Sequence, residues 1–364
     1  MKPATRAEQR PRDARLLVVD GTGRIAHHAR ADLAALLVPG DLVVANDAAT
    51  LPASLAGHHV ATGAPVEVRL AGRRSLVLDD VRVFSALVFG AGDFRTRTEE
   101  RAAPPPLCAG DVLALGPLRA TIVRLLGHPR LIELSFAGSA DAIRAGIARH
   151  GRPVQYAHVA EPLALWDVWT RVAAQPVAFE PPSAGFVLDW RLLDRLKERG
   201  IGFATLTHAA GLSSTGDMAL DSRLPLSEPY LLPATTVEAI RSTQARGDRI
   251  VALGTTVVRA LEHAAAQPGG VAAGAGLATN RLGKATRLAV VDALVSGTHE
   301  PGSSHHELLR AFVADATLDR IDGALESGGY RTHEFGDSVL IERSNLKTAT
   351  LASRFGNVRT ALPA

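Results

Sequence analysis

Short apolar runs bounded by turn residues open the chain. Residues 15–20 (RLLVVD) and 41–46 (DLVVAN) have the length and apolar content of buried strands. The segment between them, ARADLAALLVPGD, has apolar residues at helical spacing and ends at Pro39-Gly40. This β-α-β order predicts a parallel sheet.

The pattern changes between about Gly57 and Phe136. Runs such as PVEVRL, DVLAL, RATIVRLL and RLIELSF alternate there with glycines and prolines, without a long helical segment. Regular short strands separated by turn signals are typical of an all-β barrel or sandwich. We therefore expect residues 57–150 to form an inserted β domain, and residues 1–56 and 151–364 to form one discontinuous α/β main domain.

The C-terminal half alternates helices and strands. Helices are predicted in SADAIRAGIARHG, LALWDVWTRVAA, LDWRLLDRLKERG, TTVEAIRSTQARGD, TVVRALEHAAA, HHELLRAFVA and LDRIDGALESG. Strands are predicted in IGFATLTH, RIVALG, RLAVVDALVSG and DSVLIE. The order indicates a wound α/β layer, in which ligands bind beyond the carboxyl ends of the strands. The last ~15 residues are predicted to be weakly structured.

Composition narrows the class of protein. A chain of 364 residues accommodates two domains, and its single cysteine, Cys108, excludes an intramolecular disulfide and a multi-cysteine zinc site. The N-terminus is charged and lacks an apolar signal region, and no apolar run approaches the ~20 residues of a spanning helix. We expect a cytoplasmic protein without a membrane anchor. The sequence does not define its oligomeric state.

Arginine supplies nearly all the positive charge. The chain has four lysines and a net charge of +3. Arginine suits bidentate recognition of phosphate, but a preference for arginine on a solvated surface explains the same composition. Charge alone therefore leaves nucleic-acid binding open.

Two histidines follow predicted strands. His208 ends FATLTH, and His299 follows LAVVDALVSG, so both can act as acid–base or hydrogen-bonding groups near pH 7. The cluster of His299, His305, His306 and Glu307 also suggests a metal. No HExxH spacing is present, and adjacent histidines on a helix point about 100° apart. We expect no metal here, and an exposed helix start is the simpler interpretation of His305 and His306.

The turn Gly254-Thr255-Thr256 opens a predicted helix. Such a turn presents backbone N–H groups and hydroxyls to an anion or a ribose, although an ordinary threonine N-cap is an equally good interpretation. Arg259, on the same helix, is suited to a carboxylate or phosphate, or to a pair with Glu262.

Two further segments carry candidates. In Pro182-Ser183-Ala184-Gly185, the serine is a candidate helix cap and the glycine would let a ligand approach the backbone. Asn46-Asp47 follows the strand DLVVA.

These motifs, in this order, resemble the S-adenosylmethionine:tRNA ribosyltransferase-isomerase family of queuosine synthesis. The family pattern DL…L.PGDL.V.NDT…P.RL.G is similar to DLAALLVPGDLVVANDAATLPASLAG, TGG.VEV to TGAPVEV, and PTAGLHFT to PSAGFVLD. TLHVG resembles LTHAA, SE.Y resembles SEPY, and GRVIAVGTT..R.LE resembles GDRIVALGTTVVRALE. VVDALLTNFHLP and YRF.S.GDAMLI resemble VVDALVSGTHEP and YRTHEFGDSVLI. The resemblance spans almost the whole chain.

The chain departs from the family pattern at polar loop positions. The arginine of NDTR is absent, because Ala48-Ala49-Thr50 follows Asn46-Asp47. FVLD replaces LHFT, SGTHEP replaces TNFHLP, and SSHHELL replaces STLLMLV. Positions that form the backbone agree while polar positions change, as expected of a shared scaffold with an altered site.

The resemblance implies a wound α/β main domain with an inserted, smaller all-β barrel domain. It also implies transfer of the ribosyl part of S-adenosylmethionine to the aminomethyl group of a 7-deazaguanine base in tRNA, followed by isomerisation to an epoxycyclopentanediol. S-adenosylmethionine would be the co-substrate, tRNA a candidate partner, and no metal would be needed.

On this basis, the predicted catalytic or positioning groups are His208, His299, Asp47 and Glu228. The predicted substrate-binding residues are Ser183, Ala184, Gly185, Gly254, Thr255, Thr256, Arg259 and Asn46.

Two alternatives remain: a diverged transferase that uses S-adenosylmethionine or a related nucleoside on another acceptor, and a non-enzymatic nucleoside-binding protein. An arginine stripe leading into the cleft would favour tRNA. Acidic walls from Asp189, Glu300 and Glu307 would favour another acceptor, since carboxylates repel phosphates. The absence of a polar cluster around His208 and His299 would favour the binding protein.

Overall fold

A mixed sheet and a closed barrel make up the fold. The structure, a computed structural model, describes residues 1–344. They form a nine-stranded sheet flanked by helices and a closed six-stranded antiparallel barrel. The predicted fold class, a wound α/β domain with an inserted smaller barrel, is confirmed. The prediction of weak structure for the last ~15 residues lies outside the described residues.

Residues 1–344 contain the strands β1 Lys2–Pro3, β2 Arg15–Val19, β3 Ile25–Ala29, β4 Leu42–Asn46, β5 Ala49–Thr50, β6 Ser54–His59, β7 Pro65–Gly72, β8 Val83–Phe89, β9 Val112–Leu115, β10 Leu118–His128, β11 Leu131–Phe136, β12 Pro176–Ala178, β13 Gly202–His208, β14 Glu228–Leu232, β15 Ile250–Leu253, β16 Gly274–Ala278, β17 Ala293–Gly297, β18 Arg331–Thr332 and β19 Ser338–Glu342.

The helices are α1 Leu33–Leu36, α2 Ala140–His150, α3 Leu165–Val168, α4 Trp190–Glu198, α5 Met218–Asp221, α6 Ala234–Arg246, α7 Thr255–Ala265, α8 Ser304–Leu309 and α9 Asp315–Ser327. Three further segments form 3-10 helices: Arg30–Asp32, Thr98–Glu100 and Ser183–Val187.

Four parallel strands form the centre of the large sheet. The strand order is β16-β14-β13-β4-β15-β17-β19-β2-β3, and β13, β4, β15 and β17 run parallel. Antiparallel pairing begins on both sides, between β13 and β14 and between β17 and β19. The carboxyl ends of the four parallel strands therefore lie at one edge of the sheet.

Each central strand is buried on both faces. Leu42 and Val44 of β4 pack into the core that includes α6, α7 and α9, whereas Val43 and Ala45 pack into the core with α4. Successive side chains of a strand point to opposite faces, so a continuous apolar run such as LVVA fits a strand covered on both sides.

The predicted opening β-α-β unit is wrong. β2 and β4 are separated by β15, β17 and β19 and run in opposite directions. Between them the chain forms the hairpin β2–β3, a 3-10 turn and only one turn of α-helix, α1. The hairpin turn is made by Asp20, whose carboxylate accepts hydrogen bonds from the N–H groups of Thr22 and Arg24, and by Gly23 at φ 80°. The Asp-Gly pair at 20–21 was the missed hairpin signal.

Two other predicted elements are shorter than expected. LALWDVWTRVAA forms only the single turn α3. The reason is that the Gln9 side-chain amide donates hydrogen bonds to the carbonyls of Asp167 and Trp169, and the Trp169 indole donates one to the Thr50 carbonyl. In RLAVVDALVSG only β17 is a strand. The N–H groups at 289–291 donate to the Glu262 carboxylate instead of a neighbouring strand.

The barrel strands run from Ser54 to Phe136 in the closed order β10-β11-β8-β7-β6-β9. The first of them begins three residues before the proposed domain boundary at residue 57. Helix α2 follows the barrel and buries Ile143 and Ile147 in its core. Placing both barrel and α2 in the inserted domain remains our proposal.

No helix within residues 1–344 is long and apolar enough to cross a membrane.

A buried ion-pair network lies at the edge of the sheet opposite the carboxyl ends of the parallel strands. Arg249 donates to both carboxylate oxygens of Asp41, at 2.9 and 2.6 Å, and to Glu342 at 2.6 Å. The Asp41 side chain is 1% exposed. Removal of one member of such a network leaves buried charges without a partner.

We expect Arg249→Met to lower the free energy of unfolding by about 3 kcal/mol, measured by urea denaturation, because two buried carboxylates lose their cation. The control is Arg246→Met, since the Arg246 side chain is 55% exposed and pairs with Asp248; its loss should cost less than about 1 kcal/mol. Equal losses in the two variants would contradict a special role for the network.

Candidate active site

A cleft lies at the carboxyl ends of the parallel strands. It encloses about 1050 Å³, part of which is open solvent. Eight of the predicted site residues line it: Ser183, Ala184, Glu228, Gly254, Thr255, Thr256, Arg259 and His299. The other four, Asn46, Asp47, Gly185 and His208, are not among its lining residues.

The Gly254-Thr255-Thr256 turn connects β15 to α7 at the floor of the cleft. Gly254 has φ 107°, a conformation that favours glycine, and a Cβ there would lie 3.4 Å from that of Ala184. This contact brings the two motifs of the predicted nucleotide site together. Gly254 itself is the N-cap, without a side-chain hydrogen bond, so the alternative of a threonine cap is wrong.

Asn46 and Asp47 connect strands. The Asn46 amide donates to the His208 carbonyl at 2.9 Å and accepts from the His208 N–H at 3.0 Å. The Asp47 carboxylate accepts hydrogen bonds from the hydroxyls of Thr205 and Thr207 at 2.8 and 2.7 Å. Both side chains hold β4 against β13, and neither lines the cleft, although the Asn46 amide also donates to the hydroxyl of the cleft residue Thr256 at 3.4 Å.

Glu228 and Arg259 form a buried ion pair on the cleft wall. Arg259 donates to Glu228 and also to the carbonyls of Leu226, Ala278 and Asn280. Burial raises the pKa of Glu228 despite the opposing charge of Arg259. Arg259 does not pair with Glu262, which instead accepts the backbone N–H groups described above, so the intrahelical alternative is wrong.

His208 lies behind this ion pair. Its Nε2 is 3.4 Å from Glu228, its side chain is fully buried, and neither ring nitrogen has a hydrogen-bond partner among the described residues. Burial, with a further effect of the Arg259 charge, lowers its pKa to about 3. The His208 imidazole is therefore neutral at pH 7 and is not among the residues that line the cleft.

His299 and His305 form a stacked pair that faces the cleft. Their ring centroids are 4.9 Å apart with an interplanar angle of 15°. His299 Nε2 is 2.7 Å from the Ser296 hydroxyl, and His305 Nδ1 is 2.7 Å from the Thr255 hydroxyl. Burial holds the pKa of His299 well below its usual range and lowers that of His305 to about 4, so both are neutral at pH 7.

His306 points away from this pair and lies 3.0 Å from Asp322. It is 4% exposed, so the interpretation of an exposed helix start is wrong for this residue. Glu307 pairs with Arg310 on the outer face of α8. The four residues His299, His305, His306 and Glu307 therefore do not converge on one point.

The serine and glycine of the 182–185 motif differ from expectation. Ser183 begins a 3-10 helix without capping it, and the helix that follows, α4, is capped by the Asp189 carboxylate through the Leu192 N–H. A Cβ on Gly185 would lie 2.9 Å from Thr170. Thr170 occupies the space at Gly185, so this glycine allows close packing within the chain instead of ligand approach.

Glu180 is a cleft residue that sequence reasoning missed. Its carboxylate accepts hydrogen bonds from the Tyr156 hydroxyl and the Ser213 N–H. Burial raises its pKa to about 7, although these hydrogen bonds act in the opposite direction. A carboxyl group that is half-ionised near neutral pH can accept or donate a proton. Its position beside Pro181-Pro182 and the SAG motif was the available signal.

His333 and Glu334 are also cleft residues that the sequence analysis did not select. They lie in the turn between β18 and β19, inside the motif YRTHEFGD, which resembles a family motif but from which no site residue was predicted. Of the three acidic residues that were predicted to wall the cleft, only Glu300 comes near these two residues, at 3.5 Å from His333. Asp189 is committed to its helix cap.

The arrangement combines hydroxyls, neutral imidazoles and a carboxyl group of near-neutral pKa at the end of an α/β sheet. These groups can bind a polar organic ligand and move a proton, which defines a small-molecule site of the kind found in wound α/β proteins.

The chain belongs to the queuosine biosynthesis protein family, whose sequence model matches residues 2–341. The family predicted from the motifs is thereby confirmed. Relatives named S-adenosylmethionine:tRNA ribosyltransferase-isomerase include one from Pelobacter propionicus, 32% identical over 92% of this chain and 94% of its own length. Another, from Gloeobacter violaceus, is 35% identical over 91% of this chain and 90% of its own.

A solved structure, that of S-adenosylmethionine tRNA ribosyltransferase from Thermotoga maritima, is 24% identical to this chain. It aligns over 93% of this chain and 95% of its own, with a TM-score of 0.47.

The pKa of Glu180 makes stability depend on pH. Because its pKa is raised from 4.5 to about 7 by folding, the folded protein holds this proton more tightly than the unfolded chain. The group's contribution to stability is therefore fully present below about pH 4.5 and is lost as pH rises to about 7.

We expect Glu180→Gln to remove this loss. Between pH 4.5 and 7.5, the free energy of unfolding of the variant should rise by about 3 kcal/mol relative to that of the wild type, measured by urea denaturation at both pH values. Glu238→Gln, at an exposed position on α6, is the control and should show the same pH dependence as the wild type. A Glu180→Gln effect that is constant with pH would contradict the raised pKa.

Proposed function

We propose that this protein transfers the ribosyl part of S-adenosylmethionine to a 7-aminomethyl-7-deazaguanine base in tRNA and isomerises it, with release of adenine and methionine. The observation that carries the proposal is the cleft in which Gly254 packs on Ala184. Two motifs shared with the family pattern, PSAG and GTT, meet there at the strand ends. Such an enzyme would work in the cytoplasm with tRNA as its partner.

We assign the nucleoside to the Gly254-Thr255-Thr256 turn. The first turn of a helix offers backbone N–H groups that its own hydrogen bonds leave unused, and the Thr255 hydroxyl is held by His305 Nδ1. A hydroxyl fixed in this way can bind a ribose hydroxyl without losing much rotational freedom.

The reaction requires removal of an acidic proton next to the sulfonium. Glu180 is our candidate for the proton acceptor, since it lines the cleft and its pKa of about 7 matches the working pH of a general base. Its ionised form would also attract the positive sulfonium. His299, neutral and hydrogen-bonded to Ser296, is assigned to hydrogen bonding of the ribose or of the departing adenine.

His208, Asp47 and Asn46 receive supporting roles. His208 fills the space behind Glu228 without adding a charge, while Asn46 and Asp47 fix the ends of β4 and β13. Glu228 and Arg259 neutralise each other on the wall, so they are assigned to shaping the cleft.

A transferase with another acceptor is the second candidate. Two carboxylates that line the cleft, Glu180 and Glu334, favour it, because negative side chains repel the phosphates of a tRNA. Neutral acceptors such as a free base or nucleoside would not meet this repulsion.

Calorimetric titration with S-adenosylmethionine tests the site. We expect micromolar binding by the wild type and about tenfold weaker binding by Thr255→Ala, because the variant loses one hydrogen bond in a partly buried site. Thr235→Ala, an exposed position in the first turn of α6, should bind as the wild type does. A folded wild type that binds no S-adenosylmethionine would refute the proposal.

Incubation with S-adenosylmethionine and tRNA containing 7-aminomethyl-7-deazaguanine then separates the two candidates. Mass spectrometry of the digested tRNA should show the added epoxycyclopentanediol. Binding of S-adenosylmethionine without a change in the tRNA would instead support another acceptor.

A further inference from the structure

Two histidines and a glutamate from distant parts of the chain meet at the edge of the cleft. His158 lies in the loop between α2 and α3, and His333 and Glu334 lie in the turn between β18 and β19. One ligand atom from each side chain, a ring nitrogen or a carboxylate oxygen, lies within 4.8 Å of the other two. We call these three residues the His-His-Glu cluster.

The distances suit a divalent cation. Zinc held tetrahedrally at 2.0–2.1 Å from nitrogen and oxygen ligands places these ligands about 3.3 Å from one another. His158 Nε2 and Glu334 Oε2 are 3.0 Å apart, which is already close to that separation. His333 is about a third exposed, so its ring can move into place with a small rotation.

The backbone at His333 is unusual. His333 has φ 68°, and within residues 1–344 it is the one non-glycine residue with positive φ. A left-handed conformation is uncommon in a residue with a side chain and is held here by the surrounding structure. Here it places the imidazole 4.2 Å from that of His158, in a stack of 21°.

An ion pair between His158 and Glu334 would explain these two residues alone. His333 in turn lies 3.5 Å from Glu300, so each imidazole has a carboxylate of its own. Separate ion pairs do not require the two imidazoles to lie together, yet ligand atoms of His158, His333 and Glu334 all lie within 4.8 Å of one another. Three such atoms gathered at one point favour a shared cation over two ion pairs.

Neighbouring groups orient the cluster. Tyr156 stacks on His158 at 6.2 Å and 9°, and its hydroxyl donates to Glu180. This stacking limits the orientations open to the His158 ring. Tyr156 also connects the cluster to the carboxyl group assigned to proton transfer.

The cluster leaves room for a further ligand. His333 and Glu334 line the cleft, and Glu334 also borders a smaller cavity with His158. Three protein ligands beside an open space are typical of metal sites that accept water or a substrate atom in the remaining position. Two imidazoles and a carboxylate select first-row divalent transition ions, zinc above all, over magnesium or calcium.

We infer that His158, His333 and Glu334 form a binding site for a first-row divalent transition ion at the edge of the cleft, with an open coordination position toward it. This inference goes beyond the proposed function and differs from the sequence expectation of no metal. That expectation considered histidines that are neighbours in sequence, whereas here His158 comes from a part of the chain remote from His333 and Glu334.

The test is a titration of the full chain, freed of metal by chelator dialysis, with zinc chloride in the absence of S-adenosylmethionine. Calorimetry should give one zinc per chain with a micromolar or lower Kd. Replacing zinc with cobalt should give the visible absorption bands of a site with a low coordination number. Because neither readout involves the reaction, failure here would leave the S-adenosylmethionine titration unaffected.

Two variants and one control identify the ligands. His333→Ala and Glu334→Gln should each weaken zinc binding at least tenfold while the circular dichroism spectrum is unchanged. His333 is partly exposed, so this variant is expected to fold. His58→Ala, at an exposed barrel position, should bind zinc as the wild type does.

Three outcomes would overturn the inference. The first is a well-folded wild type that binds no zinc. The second is zinc binding that both His333→Ala and Glu334→Gln retain unchanged. The third is binding retained in those variants but lost in His305→Ala, which would place the ion on the His299–His305 pair.

Discussion

The buried ion pair between Glu228 and Arg259 is the constraint on which the cleft depends. Arg259 on α7 reaches across to β14 and donates to three backbone carbonyls as well as to Glu228. Glu228 in turn accepts the N–H of Gly211 at 2.5 Å. These bonds fix α7, the antiparallel edge strands and the loop after β13 relative to one another. The cleft lies where these three parts meet.

The same pair contributes to the charge state of its surroundings. Burial disfavours protonation of His208 and His305, and the Arg259 cation adds to this effect. The floor and wall of the cleft are therefore close to neutral at pH 7. Glu180 and Glu334 remain as the acidic groups of its outer part, which suits a cationic sulfonium better than an anionic ligand.

The scaffold of this protein was predictable, but the site was predictable only in part. Strands β13 and β15 and helices α4, α6 and α7 occur where the sequence indicates them, and α4 and α6 end just before the expected glycines, Gly200 and Gly247. Because carboxyl ends of parallel strands share an edge, the sequence also brought the GTT turn and His299 to one place. The hairpin β2–β3 and the shortened elements depend on individual side chains, such as Asp20, Gln9 and Glu262, whose partners are distant in sequence.

Burial explains why several predicted site residues do not line the cleft. A strand-end side chain can point into the cleft or back between the strands, and Asn46, Asp47 and His208 do the latter. Periodicity at the last residue of a strand does not distinguish these directions. Glu180 and the His-His-Glu cluster were missed for a related reason, since they lie in irregular loops whose approach depends on the complete fold.

The central claim is that S-adenosylmethionine binds where the Gly254–Thr256 turn meets Ala184. A crystal structure of the protein grown with S-adenosylmethionine tests it most directly. We expect electron density for the nucleoside over that turn, with a ribose hydroxyl within hydrogen-bond distance of Thr255 and the sulfonium on the side of Glu180. Density for the ligand elsewhere, with none over the turn beside Gly254 and Ala184, would contradict the account.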